Sequence, residues 1–395
     1  MRRRIFIHWG LSSFFGFGVY GLNLTLAWAR DPDLEPVTVA RFDPRQIQLD
    51  PLRMHALQPV LATSAALARL MRAQAPPGET IALNAPVLVS DLGGALAPND
   101  GPLVGHPTIA VPFLEDAAMA DDLVASANRH ALVVAGSDWN ARLLRAHGVE
   151  RVTTVLQGVD PTLFHPAPRA GVLADRFTVF SGGKLERRKG QDLVLAAFRR
   201  FAAGRPDALL VTAWHSPWPR LARTLDDSGL VAPVRFAANG QVDVAAWAAT
   251  SNVPAGQVLD LGAIPNAALP PVLREMDVAL FPNRAEGGTN LVAMEAMACG
   301  VPVVLSANTG HLDLIDGDNA YVLETQAIVA GQEGPPGVGG WGESEVDEIV
   351  ERLEQAYLDR EDARRRGQAG ARKLAGLTWN RSAAALKAEV LGACG

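Results

Sequence analysis

The segment 281–304 reads FPNRAEGGTNLVAMEAMACGVPVV, and the order of residue types within it decides the fold. An apolar run ends at Phe281, a polar stretch with adjacent glycines follows, a helical pattern runs to Gly300, and Val303-Val304 opens another β-branched run. The reading is strand, loop, short helix, strand. Thr289 or Asn290 fits the cap of that helix and Gly300 its end. Unsatisfied amides at a helix start, here those around Thr289 to Leu291, attract an anion, and the helix dipole adds to the attraction. Gly287 and Gly288 would let backbone approach a phosphate closely. Glu295 lies ~7 Å further along the axis at 1.5 Å per residue. That is about one sugar beyond a bound diphosphate, where a carboxylate can accept both hydroxyls of a ribose diol.

A second strand-loop-helix turn occupies 181–190, SGGKLERRKG. Lys184 and Lys189, introduced by Gly183, are placed to reach the same diphosphate from the opposite side. At ~4 Å and an effective dielectric near 20, each charge pair is worth about 4 kcal/mol before desolvation. That favours a departing nucleoside diphosphate without a metal. The bland alternative, a solvated charged loop, loses weight because the cluster directly follows a strand.

Outward from these turns, strand-like and helical runs alternate. Strands are expected at 85–90, 108–113, 131–137, 152–156, 177–181, 209–214, 234–236, 258–261, 278–281 and 303–306, which implies parallel sheets with right-handed crossovers. Prolines and Gly171 between Pro161 and Ala174 read as an interdomain linker. The glycine- and proline-rich run 331–340 reads as a mobile loop, 343–372 as one long amphipathic helical region, and the tail as helical. The expected division is an N-terminal Rossmann-like domain over 1–166, a linker over 167–176, a C-terminal Rossmann-like domain over 177–370 and a helical tail over 371–395 that packs back on the first domain.

Residues 1–30 carry features of a secretory leader, with Arg2-Arg3-Arg4, an apolar stretch and Ala27-Trp28-Ala29. Three glycines and Asn23 interrupt that stretch, so a strand, a glycine turn at Gly16-Phe17-Gly18-Val19-Tyr20-Gly21 and a helix from Asn23 are the better reading. The composition of the 395-residue chain, 48% hydrophobic and 20% charged, is globular, and a net charge of -6 with scattered basic residues argues against a nucleic-acid partner. Two cysteines, Cys299 and Cys394, exclude a disulfide scaffold and a structural zinc site.

The pair GGKLERRKGQDLVLAAF and FPNRAEGGTNLVAMEAMACGVPVV resembles the C-terminal signature of the retaining glycosyltransferases of family 4, and SDWNARLLRAHGV with VLQGVDPTLFHP resembles the passage into that family's linker. The resemblance implies the α/β GT-B fold, two Rossmann-like parallel-sheet domains facing across a cleft. It implies a nucleoside-diphosphate-sugar donor bound by the C-terminal domain, and a saccharide or lipid-linked acceptor bound by the N-terminal one. No cofactor and no metal are expected. Lys184 and Lys189 take the positions of donor-diphosphate cations, and Glu295 that of the second glutamate of E-x7-E. Eight residues separate Glu286 from Glu295, so either Glu286 or Gly287 stands at the first-glutamate position, with Glu286 the candidate to meet the donor sugar. Gly16 and Gly18 correspond to the N-domain glycine loop facing the phosphates. His106 is the candidate for the family's histidine near the donor sugar.

Other readings compete. GxGxxG with Asp43 would suit a dinucleotide-dependent dehydrogenase, but a second phosphate-binding half is then superfluous. A nucleotide-sugar epimerase and a non-catalytic nucleotide-sugar-binding module share the scaffold. Asp31-Pro32-Asp33 and Asp316-Gly317-Asp318 mimic metal-binding DxD but read as turns. Glu115 faces either the cleft or a helix cap. No apolar run reaches the ~18 residues that span a bilayer, so the expected place is the cytoplasm, with the first arginines available to an anionic inner membrane face.

Overall fold

The computed structural model describes residues 2–40, 43–74, 80–92, 103–329 and 337–394. The first domain is built on a six-stranded parallel sheet of β1 (Arg3–His8), β2 (Leu34–Thr38), β3 (Val87–Val89), β4 (Thr108–Ala110), β5 (Leu132–Ala135) and β6 (Val152–Thr154), in the order β2-β1-β3-β4-β5-β6. The second carries β7 (Phe177–Gly183), β8 (Ala208–Trp214), β9 (Val258–Asp260), β10 (Val278–Phe281), β11 (Val303–Ser306) and β12 (Tyr321–Leu323), in the order β9-β8-β7-β10-β11-β12. Each sheet therefore has one point where strand order reverses, beside β1 in the first and between β7 and β10 in the second. Ligands of such sheets bind outside the carboxyl ends of the strands at these points.

The local causes are legible in burial. Ile5 and Ile7 of β1 are fully buried, as a strand paired on both sides requires. The following helix, α1 (Gly16–Ala29), buries Val19, Tyr20, Leu22, Leu24, Leu26 and Trp28, because it is covered on more than one face. Residues 3–29 are thus core elements of the first domain. The GxGxxG lies inside α1 rather than in a turn before it; the turn is 9–15, and the helix begins seven residues earlier than Asn23. The second and third of its glycines serve packing: a Cβ on Gly18 would lie 2.4 Å from Ser12 Cβ, and one on Gly21 2.5 Å from Trp9 Nε1.

The chain end crosses back. The helix Trp379–Gly392 lies on α1, where Trp28 Nε1 donates to the Ala383 carbonyl at 3.1 Å and the Tyr20 and Trp379 rings stand 5.7 Å apart. Lys387 Nζ reaches Asp31 at 2.8 Å and Asp33 at 2.7 Å, which gives the first DxD a structural partner. The second DxD is occupied likewise, Asp318 pairing with Arg365. Between the domains, Arg169 is anchored on Met276 O and Asp277, and the Ala170 amide on Glu275, so this stretch is fixed to the second domain.

Three expectations are corrected. Residues 234–236 form no sheet strand, only a bridge from Phe236 to Val242; Pro233 precedes them and a turn at 237–241 follows at once. The helical region 343–372 is two helices, Val346–Leu358 and Arg360–Leu374, because Asp359 leaves helical geometry and caps the second by accepting from the Asp362 amide. Of the loop expected over 331–340, residues 331–336 lie outside the described residues, while 337–341 are fastened across the domains: Gly339 N donates to Asp116 and Trp341 Nε1 to the Glu115 carbonyl. No helix among the described residues is long and apolar enough to cross a membrane.

Substitution at the two N-terminal glycines should separate packing from propensity. Gly18→Val must overpack the Ser12 turn and is expected to cost roughly 2 to 3 kcal/mol in urea denaturation. Gly16→Ala, with nothing within 4 Å of its Cβ, should stay within about 0.5 kcal/mol of the parent.

Candidate active site

A cavity of about 360 Å³ opens between the carboxyl ends of the two sheets. Lys184, Lys189, Gly183, Glu286, Gly288, Asn290, Leu291, Glu295 and Gly16 all line it. Gly18, Gly287, Thr289 and His106 do not. Gly287 faces the first domain: its Cβ would lie 2.5 Å from Leu114 O, and its carbonyl accepts from Ser137 Oγ at 2.8 Å. Gly288 also meets that domain, with a Cβ position 2.8 Å from Gln157 Oε1. The paired glycines therefore allow the domains to approach, and of the two Gly288 lines the cavity while Gly287 does not. Thr289 is buried with its hydroxyl on Met294 sulfur. His106 is exposed in the turn before β4, at the amino end of a parallel strand, whereas the cavity lies at the carboxyl ends. Asp43 caps a short turn over 44–46 and pairs with Arg45 instead of lining the cavity.

The charged centre is assembled by two βα turns. Gly183 at φ 132° turns the chain out of β7, and Lys184 Nζ then sits 2.9 Å from Glu186 Oε2 and 5.5 Å from the Trp218 ring centre. Gly190 at φ 72° lets the next turn pass Pro282, whose carbonyl would be 2.4 Å from any Cβ there. This brings Lys189 Nζ to 2.6 Å from Glu286 Oε1. Arg188, which the sequence does not single out from its neighbouring lysines, is the hub: Nη1 binds Glu286 Oε2 at 2.9 Å, and Nη2 binds Glu186 at 2.6 Å and Glu115 at 2.7 Å. Burial raises the Glu286 carboxyl, but Lys189 and Arg188 outweigh it and hold its pKa at about 2. Glu115 is no helix cap, since the following helix starts at Asp121; it faces the cleft. The RRK run was the available signal for Arg188, but sequence spacing alone did not bring Glu115 and Glu186 to it.

Beneath the centre, fully buried Arg284 grips Asp192 with two hydrogen bonds of 2.9 and 2.7 Å and Glu343 at 2.5 Å. It locks the 281–290 loop to the helix Gln191–Phe201.

Asn290, between the two glutamates, caps the helix Leu291–Ala298 at φ 64°. Its side chain is directed by hydrogen-bond polarity. Ser306 Oγ donates to Asn283 O at 2.6 Å, so it accepts from His311 Nδ1 at 3.0 Å. His311 Nε2 then accepts from Asn290 Nδ2 at 3.0 Å, leaving Asn290 Oδ1 for the Ala293 amide. Burial lowers the His311 pKa to about 4, which keeps the ring neutral as this arrangement needs. Of the two first-glutamate alternatives, Glu286 places a carboxylate at the cavity and Gly287 turns away.

Among the described residues the Glu295 carboxyl accepts from Asn266 Nδ2, and burial pushes its pKa up to about 8. Among the described residues no group of three or more His, Cys, Asp or Glu could hold a metal ion.

Residues 264–386 match the family described as Family 4 Glycosyltransferase in conflict systems. A D-inositol 3-phosphate glycosyltransferase of Thermobifida fusca is 31% identical over 211 residues, covering 49% of this chain and 42% of that protein. The chain spans about half the length of the curated relatives it matches. The sucrose-phosphate synthase of Thermosynechococcus elongatus superposes with a TM-score of 0.64 at 17% identity, over 98% of each chain. HepE of Anabaena, in complex with UDP and glucose, gives 0.61 at 14% identity over 99% of this chain and 100% of that one. The fold is GT-B, and the resemblance to family 4 glycosyltransferases holds.

The buried carboxyl of Glu295 gives a pH signature. With a folded pKa near 8, above that of the unfolded chain, the native state binds the extra proton between those two values, so stability falls as pH rises through that window. Glu295→Gln lacks this term. From pH 5 to pH 8 the parent should lose on the order of 3 kcal/mol relative to Glu295→Gln in denaturant titrations; parallel profiles would contradict it.

Proposed function

We propose that this chain is a retaining glycosyltransferase that moves a sugar from a nucleoside diphosphate to an acceptor hydroxyl, in the synthesis of a polysaccharide or glycoconjugate. The observation that carries this reading is the convergence of Lys184, Arg188 and Lys189, the start of the helix Leu291–Ala298 and Glu295 on one interdomain cavity. The donor diphosphate would lie between the helix amides and the lysines, with Glu295 at the ribose diol. UDP in the Anabaena neighbour makes a uridine donor carrying a hexose the first to try.

In the transfer, the acceptor oxygen bonds to the anomeric carbon as the bond from that carbon to the diphosphate oxygen breaks. The hydroxyl proton passes to the departing diphosphate. Retention, implied by the family, places attack and departure on one face. The protein's task is to position the reactants and to stabilise charge on the leaving group. Lys184 and Lys189 supply that charge, Arg188 fixes Glu286 beside them, and in this reading no metal or cofactor takes part. Each lysine is matched by a carboxylate, Glu186 or Glu286, from which the incoming diphosphate must draw it. Glu286 would also meet the donor sugar. The reading places the protein in the cytoplasm, with Arg2 and Arg4 at the surface available to anionic lipid.

Incubation with UDP-, GDP- and ADP-sugars, with and without acceptors, tests the reading. Acceptor-dependent nucleotide release is expected; isomerised donor would favour an epimerase, and binding without turnover a non-catalytic module.

Lys189→Ala should lower kcat by roughly 10²- to 10³-fold, whereas Glu295→Ala should act mainly on the donor KM, raising it about tenfold, the loss of ~1.4 kcal/mol of binding. Steady-state kinetics in which both variants behave as the parent would remove the site assignment.

A further inference from the structure

The cavity is divided by chemistry as well as by domain. The first domain contributes Ser13, Phe14, Phe15, Phe17, Phe113 and Glu115, together with small or uncharged groups, and among the described residues no Lys, Arg or His from that domain lines it. The rings are mutually packed, with the centres of Phe17 and Phe113 4.8 Å apart, and Phe15 stacks on His215 of the opposite domain at 6.0 Å. Glu115 is held from behind, since its carbonyl accepts from Trp341 Nε1 at 2.6 Å and neighbouring Asp116 is bonded to Gly339. One carboxylate oxygen meets Arg188 at 2.7 Å, yet the side chain keeps 42% of its surface open.

The charge balance follows. Lys184, Arg188 and Lys189 face Glu115, Glu186 and Glu286, so the cluster has no positive surplus before a donor arrives. A donor diphosphate makes the occupied cleft negative. An acceptor bringing its own phosphate would meet Glu115 and aromatic rings, with every lining cation already engaged on the donor side.

We propose that the acceptor is an uncharged, hydroxyl-bearing molecule seated on the rings of Phe14, Phe15, Phe17 and Phe113 with Glu115 as its polar anchor, and that a phosphorylated acceptor is rejected. The inference rests on reading the cleft as a transferase site and names the substrate class of its second half. The faces of sugar rings and polyols are apolar enough to lie on aromatic rings, and Glu115 accepts a hydroxyl hydrogen while repelling a phosphate. Glu115 is therefore a specificity-determining residue. The Thermobifida relative is named for inositol 3-phosphate, so on this point the two proteins part.

Saturation-transfer NMR on the full chain in the presence of UDP, GDP or ADP tests this with matched pairs: myo-inositol against inositol 3-phosphate, and glucose against glucose 6-phosphate. The neutral member of at least one pair should bind with a Kd at least tenfold below that of its phosphorylated partner. Glu115→Gln should narrow that gap several-fold, and Glu115→Asp should restore it. Equal or tighter capture of the phosphorylated members, capture of neither, or a gap unmoved by Glu115→Gln overturns the inference. Nucleotide binding is read in the same samples. A protein that binds nucleotide but prefers phosphorylated acceptors keeps the transferase reading and loses this one, whereas a protein that binds no nucleotide loses the transferase reading while the pairs still report on the acceptor face.

Discussion

The structure depends on the requirement that charges removed from water be matched at contact distance. Arg188 is 5% exposed and Glu286 4% exposed, and an unpaired ion at that depth would cost several kcal/mol. Their partners come from three places: the turn after β7, the turn after β10, and the first domain through Glu115. Neutralising the cluster thus draws both βα turns of the second domain and the facing edge of the first domain to one point. A buried ion pair is weak evidence for stability, but it is a strong constraint on arrangement, because no neighbouring register supplies the same partners.

Close approach of the domains imposes a second constraint, and glycine meets it. At Gly287 the backbone of 113–114 lies where a Cβ would be, and at Gly288 the Gln157 Oε1 would lie 2.8 Å from one. Side chains there would push the domains apart and open the cluster to solvent. The glycine-rich loop after β10 is therefore shaped as much by the opposing domain as by any phosphate. The clasp of the last helix on α1 acts in the same direction, since Trp28, Tyr20, Met294 and Leu386 share one continuous hydrophobic cluster across both domains.

The parts of this architecture legible in sequence are those set by local pattern. β-branched runs marked the parallel strands, and paired glycines after a strand marked the two βα turns that line the cavity, because those signals are contained within about ten residues of chain. The GxGxxG misled because glycine spacing is the same whether it permits a turn or permits a helix to press on Ser12 and Trp9. Arg188 was hidden among RRK, since which cation turns inward depends on carboxylates 2, 73 and 98 positions away in the chain. His311 carried no signal at all; its meaning arises only when Ser306 and Asn290 are brought to its two ring nitrogens.

That last arrangement explains how a loop with eight residues between Glu286 and Glu295 presents a helix start and both glutamates to one cavity. Asn290 turns the chain into the helix at positive φ, where Asn is among the side chains best tolerated. Such a cap would remain free to flip its amide, were it not that a neutral imidazole accepts from Nδ2 and thereby commits Oδ1 to the helix amides. Protonating His311 would turn that acceptor into a second donor facing an NH₂ group, and the burial that lowers its pKa prevents this at neutral pH. The loop's length, the left-handed cap and the buried histidine are therefore one solution, and Glu286 reaches the cavity because of it.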